Sequence, residues 1–542
     1  MGLRQCKFRT FSKISKSATS AFAQIAILLL AVGCGDDQPA IDPPATTGSR
    51  PNIIFILADD LSYSDLSVYG QQLYTTPHLD RLAETGIRFT QAYSAAPACA
   101  PSRACLLTGL HTGHSSIRDN RSARGQDHLR AEDITVAEVL QEAGYKTGFM
   151  GKWGVGLPNT EGVPYKQGFD YSFGFYDQRR AHTYFPLYLW ENDRQIRYPA
   201  NQGFDMARRY KIGAPGLPEE FWNVYDDNGD LQLPEVADPA NAVYSEEEIE
   251  QAALKFIKDN HREPFFVYFG TQLPHGPVII DNIADMSQPD RIPQPHREWA
   301  AMVKRIDTFT GQLVGLLKEL GVYENTIIFF ASDNGYSMSG NMGRGDNSNW
   351  PDDPYLRNKG PFTGGKYSPR EGGIRVPFLV SWPARLEPRK VDTPVWLADF
   401  FPTAAALAGT TRQLELDGRS LLPLLEGNLE AIPFDRPLYF YRRNEEAVRM
   451  GPWKAYRSHP DQPMGLYLVE KDTFEKHDVS GTHPEIVKKI EMIMTSQQTP
   501  HEWYWTPGMT WNQFRDKQEL ANATGQSMTS TYPNELKRIP GD

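Results

Sequence analysis

The chain is poor in cysteine, with four in 542 residues, at positions 6, 34, 99 and 105. The first two fall in an N-terminal leader, so only Cys99 and Cys105 remain for the folded protein, and no disulfide framework can support it. A metal or redox pair of Cys99 and Cys105 is conceivable, but the histidine and cysteine company of a zinc site is missing around them. No apolar run reaches the roughly 20 residues that a membrane-spanning helix needs. Positive charge is also in deficit, with a formal net charge of -11 and a pI near 5.6. That excludes the basic face expected of a nucleic-acid-binding protein. An anionic substrate would have to be drawn in by local cations.

The length suits one large domain and a smaller one, since domains run to roughly 100 to 250 residues. At the N-terminus, Arg4, Lys7, Arg9, Lys13 and Lys16 precede a short apolar stretch over 21–32 that ends at Gly33-Cys34. Residues 30–34 (LAVGC) look like a bacterial lipobox. The reading is a lipoprotein signal peptide over 1–33, lipidation at Cys34 and a polar, Pro-rich tether over 34–50, with an ordinary cleaved signal as the alternative. The protein is then exported, facing the periplasm or the cell surface, and meets the membrane through its lipid anchor only.

Buried strands are expected at 52–57 (NIIFIL), 264–270 (PFFVYFG), 326–331 (TIIFFA) and 376–382, apolar runs of strand length, and 145–150 (YKTGFM) reads as a further strand leading into Gly151-Lys152-Trp153. Helical spacing appears at 78–84, 134–143, 246–260, 297–320 and 397–408. The alternation predicts an α/β fold: a large, mostly parallel sheet with helices on both faces, over 51–433. From 434 to 505 the text changes to short aromatic strands at 438–442, 453–457 and 465–469 and a helix at 484–495, read as a small antiparallel sheet with a helix packed on it. The tail over 506–542 shows no clear periodicity and reads as loosely ordered.

In parallel sheets the site lies beyond the carboxyl ends of the strands. Asp59 and Asp60, Lys152, His275, and Asp333 with Asn334 each follow a predicted strand. Any one of them alone would read as a loop residue or helix cap; four strand ends delivering such groups to one edge argue for a site. Asp59, Asp60, Asp333 and Asn334 offer only oxygen, the ligand set of a hard cation such as calcium or magnesium. Cys99 stands at the start of a helix-like run with Arg103 one turn on, where a thiolate could be stabilised; a buried structural cysteine is the plainer reading. Trp190, Trp222, Trp350 and Trp503-Tyr504-Trp505 could stack on sugar rings or simply pack.

The run from Cys99 to Gly109 (CAPSRACLLTG) matches C-x-P-S-R-x-x-x-L-T-G at every specified position, and in this the chain resembles the type I sulfatases of the alkaline phosphatase superfamily. The resemblance covers roughly 50–499. It implies that Asp59, Asp60, Asp333 and Asn334 hold one divalent ion, usually calcium, with magnesium as the alternative. It also implies that a maturation enzyme oxidises Cys99 to formylglycine (3-oxoalanine), whose hydrate is the nucleophile and touches the metal. Arg103, Lys152 and Lys366 are then the cations around nucleophile and sulfate; Lys366 opens a stretch that ends in the family's E-G-G-x-R-V-P phrase. His275, in P-H-x-P, becomes the acid for the leaving alkoxide and Asp333 the acceptor of the nucleophile's proton. One departure stands out: many relatives read G-K-W-H where this chain has Gly151-Lys152-Trp153-Gly154. His182 is the candidate to take over, as a substrate-binding group; His111 and His114 are read as structural. The expected activity is sulfate ester hydrolysis on a sulfated carbohydrate. A phosphate or phosphonate ester hydrolase of the same superfamily and a catalytically silent glycan-binding lipoprotein are the alternatives.

Overall fold

A computed structural model describes residues 50–204, 223–283, 286, 292, 296–335, 337, 360–410 and 412–527. The leader, Cys34, Trp222 and Trp350 lie outside the described residues. No helix among the described residues is long and apolar enough to cross a membrane.

The strand Asn52–Ala58 is buried along its whole length because it alternates between two cores. Ile53, Phe55 and Leu57 enter one hydrophobic cluster, while Ile54, Ile56 and Ala58 enter the other. A strand covered on both faces needs no polar alternation, which explains the unbroken apolar run. On the first side lie the helices Cys99–Thr108, Val136–Glu142 and Phe400–Ala408; on the second, Pro77–Glu84, Ser245–Asn260 and His296–Glu319.

The sheet has ten strands. Its centre runs Thr326–Ser332, Asn52–Ala58, Phe265–Gly270, Lys146–Lys152 and Tyr171–Phe175, each parallel to its neighbours. Their carboxyl ends therefore share one edge. The predicted strand at 376–382 forms as Phe378–Ser381 but is antiparallel to both neighbours, so the sheet is mixed at its flanks. At the other flank, Tyr188–Glu191 and Arg194–Arg197 form a hairpin across Asn192-Asp193, with Asn192 at a φ of +50°. This short pair has little apolar run to read; the Asn-Asp turn was its only sequence signal.

The second sheet orders Leu438–Arg442, Glu445–Met450, Trp453–Arg457 and Gly465–Leu468 antiparallel, with the helix Pro484–Ser496 packed on it through Ile490 and Met494. Glu445–Met450 (EEAVRM) escapes a hydrophobic reading because buried Glu446 and Arg449 interrupt its apolar residues. Glu446 pairs with Arg457 at 2.6 Å, and Arg449 donates to Gln91 Oε1 at 2.6 Å. The tail differs from expectation. Trp511–Ala523 is a helix, opened by a reciprocal capping box between Thr510 and Gln513. Only Ala521 of it is buried, so no apolar stripe announces it.

Three glycines lie abreast where the central strands end. Gly174 pairs with Gly151, and Gly151 with Gly270. A Cβ at Gly151, whose φ is +118°, would sit 2.0 Å from Gly270 O. One at Gly270 would approach Lys152 O at 2.9 Å and Arg103 Nη1 at 3.1 Å. This row brings the strands close enough for Arg103 to reach the Lys152 carbonyl. Gly151→Ala is therefore expected to destabilise the protein by about 3 kcal/mol or more through backbone clash and φ strain, read as a lower urea midpoint.

Candidate active site

Asp59 and Asp60 leave the Asn52–Ala58 strand in a turn tied to both neighbouring strand ends. Asp59 N donates to Leu273 O at 2.9 Å, and Asp333 N donates to Ala58 O at 3.0 Å. Asp60 takes a left-handed φ of +64°, and its N–H donates to Asp333 Oδ1 at 3.2 Å. An aspartate tolerates that conformation better than most residues. Here it turns two adjacent carboxylates into one cavity.

Cys99 is the first residue of the helix Cys99–Thr108 and is fully buried. Its Sγ lies 3.5 Å from Asp59 Oδ1 and 4.0 Å from Asp60 Oδ1. Asn120 Oδ1 accepts from Ala100 N at 2.9 Å, capping the helix end beside the thiol. Arg103, one turn on, is committed elsewhere: Nε donates to Asp333 Oδ2 at 2.9 Å and Nη1 to Lys152 O at 2.6 Å. Burial pushes the Cys99 thiol far above its usual range, with the Asp333 charge adding to the rise and Lys152 and Lys366 opposing it. The thiolate reading of this helix end therefore fails for the unmodified residue: the cavity that surrounds it is rich in carboxylate.

Two lysines close the ring. Lys152 Nζ donates to Asp59 Oδ2 at 2.5 Å and lies 3.1 Å from His182 Nε2. Lys366 Nζ lies 2.7 and 2.9 Å from the two oxygens of Asp60 and 3.1 Å from His275 Nε2. Burial works against the Lys366 charge, but Asp60 together with Cys99, Tyr367 and Asp59 outweighs it and holds its pKa well above the usual lysine value. Burial also opposes ionisation of Asp60; Lys366 and His275 override it and hold the carboxyl well below the ordinary range. Asp333 goes the other way, raised to about 6 by burial and by Asp59 despite Arg103 and Lys152.

His182 and His275 stack face to face, with ring centroids 3.6 Å apart and planes 6° from parallel. Burial and the Lys366 charge lower His275 to about 3; burial, His275 and Lys152 lower His182 well below its usual value. The structure thus gathers every residue singled out from the sequence: Asp59, Asp60, Cys99, Arg103, Lys152, His182, His275, Asp333, Asn334 and Lys366. His111 and His114 lie apart, joined to Asp417 and Gln497.

Other contributors were invisible in the sequence. Tyr184 donates its hydroxyl to His275 O, and its own carbonyl accepts from Ser245 N at 2.8 Å. Glu246, the next residue, bonds Thr271 Oγ1 and accepts from Gln272 N at 3.3 Å, bracing the loop that carries His275. Gly154 is explained by Gln178: a Cβ at 154 would meet Gln178 Oε1 at 2.3 Å. Gly154 also takes a left-handed φ of +77°, a conformation that favours glycine.

The donor set fits a hard cation. Asp59, Asp60, Cys99 and His275 offer ligand atoms all within 4.8 Å of one another. Beside them Asn334 donates Nδ2 to Asp60 Oδ1 at 2.7 Å, while its Oδ1 is buried with no hydrogen-bond partner among the described residues. A buried carbonyl oxygen left in that state is costly unless something electropositive meets it.

Glu246 supplies a pH test of the brace. Burial and the neighbouring Glu250 raise its pKa from 4.5 to about 8. The folded state thus holds this proton more tightly than the unfolded chain, so its contribution to stability falls as pH rises through that window. Glu246→Gln, which stays neutral, is expected to lack that fall. Thermal midpoints of both proteins between pH 5 and 8 should diverge, and parallel curves would exclude the assignment.

The family model described as Sulfatase matches residues 51–410. N-acetylgalactosamine-6-O-sulfatase of Bacteroides thetaiotaomicron is 28% identical, covering 87% of this chain and 97% of that protein. Human N-acetylgalactosamine-6-sulfatase is 33% identical, with 75% of this chain and 71% of that protein covered. Among solved structures, Ps i-CgsB in complex with k-i-k-neocarrahexaose superposes with a TM-score of 0.65 at 30% identity, covering 89% of this chain and all of that one. With the match spanning more than half of the chain and the buried cluster lying inside it, the chain belongs to the sulfatase family and is a sulfuric ester hydrolase.

Proposed function

We propose that the protein hydrolyses sulfate esters on a sulfated carbohydrate, using a formylglycine hydrate derived from Cys99 and a divalent cation, calcium in the first instance. The observation that carries this is the placement of Cys99 Sγ 3.5 and 4.0 Å from Asp59 and Asp60, inside a buried ring of three carboxylates and three cations. The carbohydrate class is supported by the relatives, which include N-acetylgalactosamine sulfatases and a protein solved with a carrageenan hexaose.

Asp59, Asp60, Asp333 and Asn334 would hold the cation, which supplies positive charge against a sulfate oxygen. Formylglycine formed from Cys99 would supply, as its hydrate, one hydroxyl suited to attack on sulfur and a second suited to the later release of sulfate. Asp59, Asp60 and Asp333 are balanced by Arg103, Lys152 and Lys366, all buried. A dication added to that ring leaves a positive excess for an anionic ester, and low-dielectric surroundings amplify its effect. Lys152 and Lys366 stand on either side of Cys99's carboxylate neighbours and orient the sulfate. His275, against Lys366, protonates the leaving alkoxide at Nε2. Its depressed pKa is that of a cation-rich site; an incoming sulfate brings the negative charge that favours the imidazolium. His182, within reach of Lys152, is the group proposed to stand in for the histidine absent at 154. Cys34 is proposed to carry a lipid anchor on an exported protein that meets a maturation enzyme before folding is complete.

Mass spectrometry of the Cys99 peptide from protein made in its native host should show the thiol converted to the aldehyde; an unmodified cysteine would overturn the mechanism. Cys99→Ala should lower kcat/KM for sulfate release at least about a thousandfold, the scale on which loss of a nucleophile acts. Chelation should abolish turnover and calcium restore it, whereas full activity after exhaustive chelation would remove the metal from the mechanism. Phosphate monoesters assayed alongside should turn over more slowly than sulfate esters.

A further inference from the structure

Beyond the sulfate-binding ring, one surface combines an exposed aromatic face with exposed cations. The tip of the hairpin between Leu438–Arg442 and Glu445–Met450 carries Arg443, at a left-handed φ of +55°. Asn444, next to it, accepts from Trp505 Nε1 and from Gly508 N, both at 3.0 Å. That contact docks the hairpin on the C-terminal segment. Trp505 is buried and meets Trp511 edge to face, with centroids 4.8 Å apart. Trp511 itself is 61% exposed, and the Arg443 guanidinium stands 5.7 Å from its ring. The residue is thus held from beneath while its own surface stays open.

The same hairpin leads straight to the active site. Arg442 lies over the Tyr367 ring at 4.4 Å, and Lys366 Nζ is 5.5 Å from that ring. Arg442 Nε also donates to Asp119 Oδ1 at 3.0 Å, and the following residue, Asn120, caps the helix that begins at Cys99. Arg442 thus satisfies Asp119, while Arg443 stands farther from that carboxylate, at 3.6 Å, with 47% of its side chain exposed. In a chain of net charge -11 Arg443 is an exposed positive group at this tip, and a polyanion would be held there by short-range contact with it rather than by the whole-molecule field.

We propose that Arg443 and Trp511 form a second carbohydrate subsite, which takes a sugar unit adjoining the one whose sulfate enters the catalytic ring. Trp511 stacks on the apolar face of that sugar, and Arg443 pairs with a sulfate or carboxylate on it. Stacking and a guanidinium fork are the two interactions that an anionic sugar offers most directly. The proposal rests on the reading of the protein as a sulfatase of carbohydrates and adds a preference for oligosaccharides with a further anionic group.

The test uses the full chain carrying Cys99→Ala, so that nothing is turned over, with chondroitin 6-sulfate and carrageenan tetrasaccharides as probes beside N-acetylgalactosamine 6-sulfate. Calorimetry should find at least one tetrasaccharide bound more tightly than the monosaccharide. Adding Arg443→Glu or Trp511→Ala should then weaken that tetrasaccharide about tenfold and leave the monosaccharide unchanged, the scale of one stacking or rim-charge contact. The Arg443→Glu effect should shrink at high salt. The subsite is overturned if neither tetrasaccharide binds more tightly than the monosaccharide, or if the variants alter both ligands alike. It is also overturned if Trp511→Ala changes only the oligomeric state, which would make this face a contact between copies. Turnover of 4-nitrophenyl sulfate by the Cys99-containing protein separates the two levels. Its absence in the parent speaks against the sulfatase reading, and its persistence in both variants leaves the binding result to judge the subsite.

Discussion

Everything in this molecule depends on keeping three carboxylates and three cations buried together. Asp59, Asp60 and Asp333 face Arg103, Lys152 and Lys366, and each has essentially no contact with solvent. An unpaired charge in such a place would cost several kcal/mol, so each group is held by at least one partner of opposite sign. The arrangement is not simply stabilising. Burying ion pairs seldom improves on an apolar core, and the return here is a preset field rather than stability. Asp60 is driven toward its ionised form and Asp333 toward its neutral one within the same cavity, a separation of roles that a single carboxylate could not provide.

The fold supplies the rigidity that this field requires. Five parallel strands end on one edge, and the row Gly174, Gly151 and Gly270 lets the strand ends and Arg103 approach without side chains between them. Around that edge a second tier of contacts holds the histidines. Tyr184 reaches the His275 carbonyl, and Glu246 ties the preceding loop. The small sheet is tied by further buried polar contacts to segments beside the large one, with Lys454 against Glu371 at 2.9 Å and Arg449 against Tyr93 at 3.1 Å. This joins the loop that carries Lys366 to the sheet whose hairpin carries Arg442 and Arg443.

Much of this was legible in the residue order, and the reason is local. Buried parallel strands are unbroken apolar runs, so the centre of the sheet could be read directly, and the residue after each run marks its carboxyl end. The strand at 378–381 could be recognised as a strand but not as antiparallel, because direction depends on the path of the chain between elements. Glu445–Met450 could not be read: buried Glu446 and Arg449 interrupt its apolar residues and are satisfied by partners such as Arg457 and Gln91, on another strand or distant in sequence. The helix at 511–523 had a capping box as its signal and no apolar stripe.

The residue order by itself specified the chemistry on offer: the phrase from Cys99 to Gly109, the oxygen donors after two strands, the lysines, and the glycine at 154. Those are properties of identity and spacing, and no folding was needed to see them. Only tertiary structure decided what each group does with its charge. It turned Arg103 away from the thiol toward Asp333, set His182 on His275, and filled the space beside Gly154 with Gln178. Such assignments rest on distances of a few ångströms between segments tens to hundreds of residues apart, and a pKa or a vacancy exists only once those segments have met.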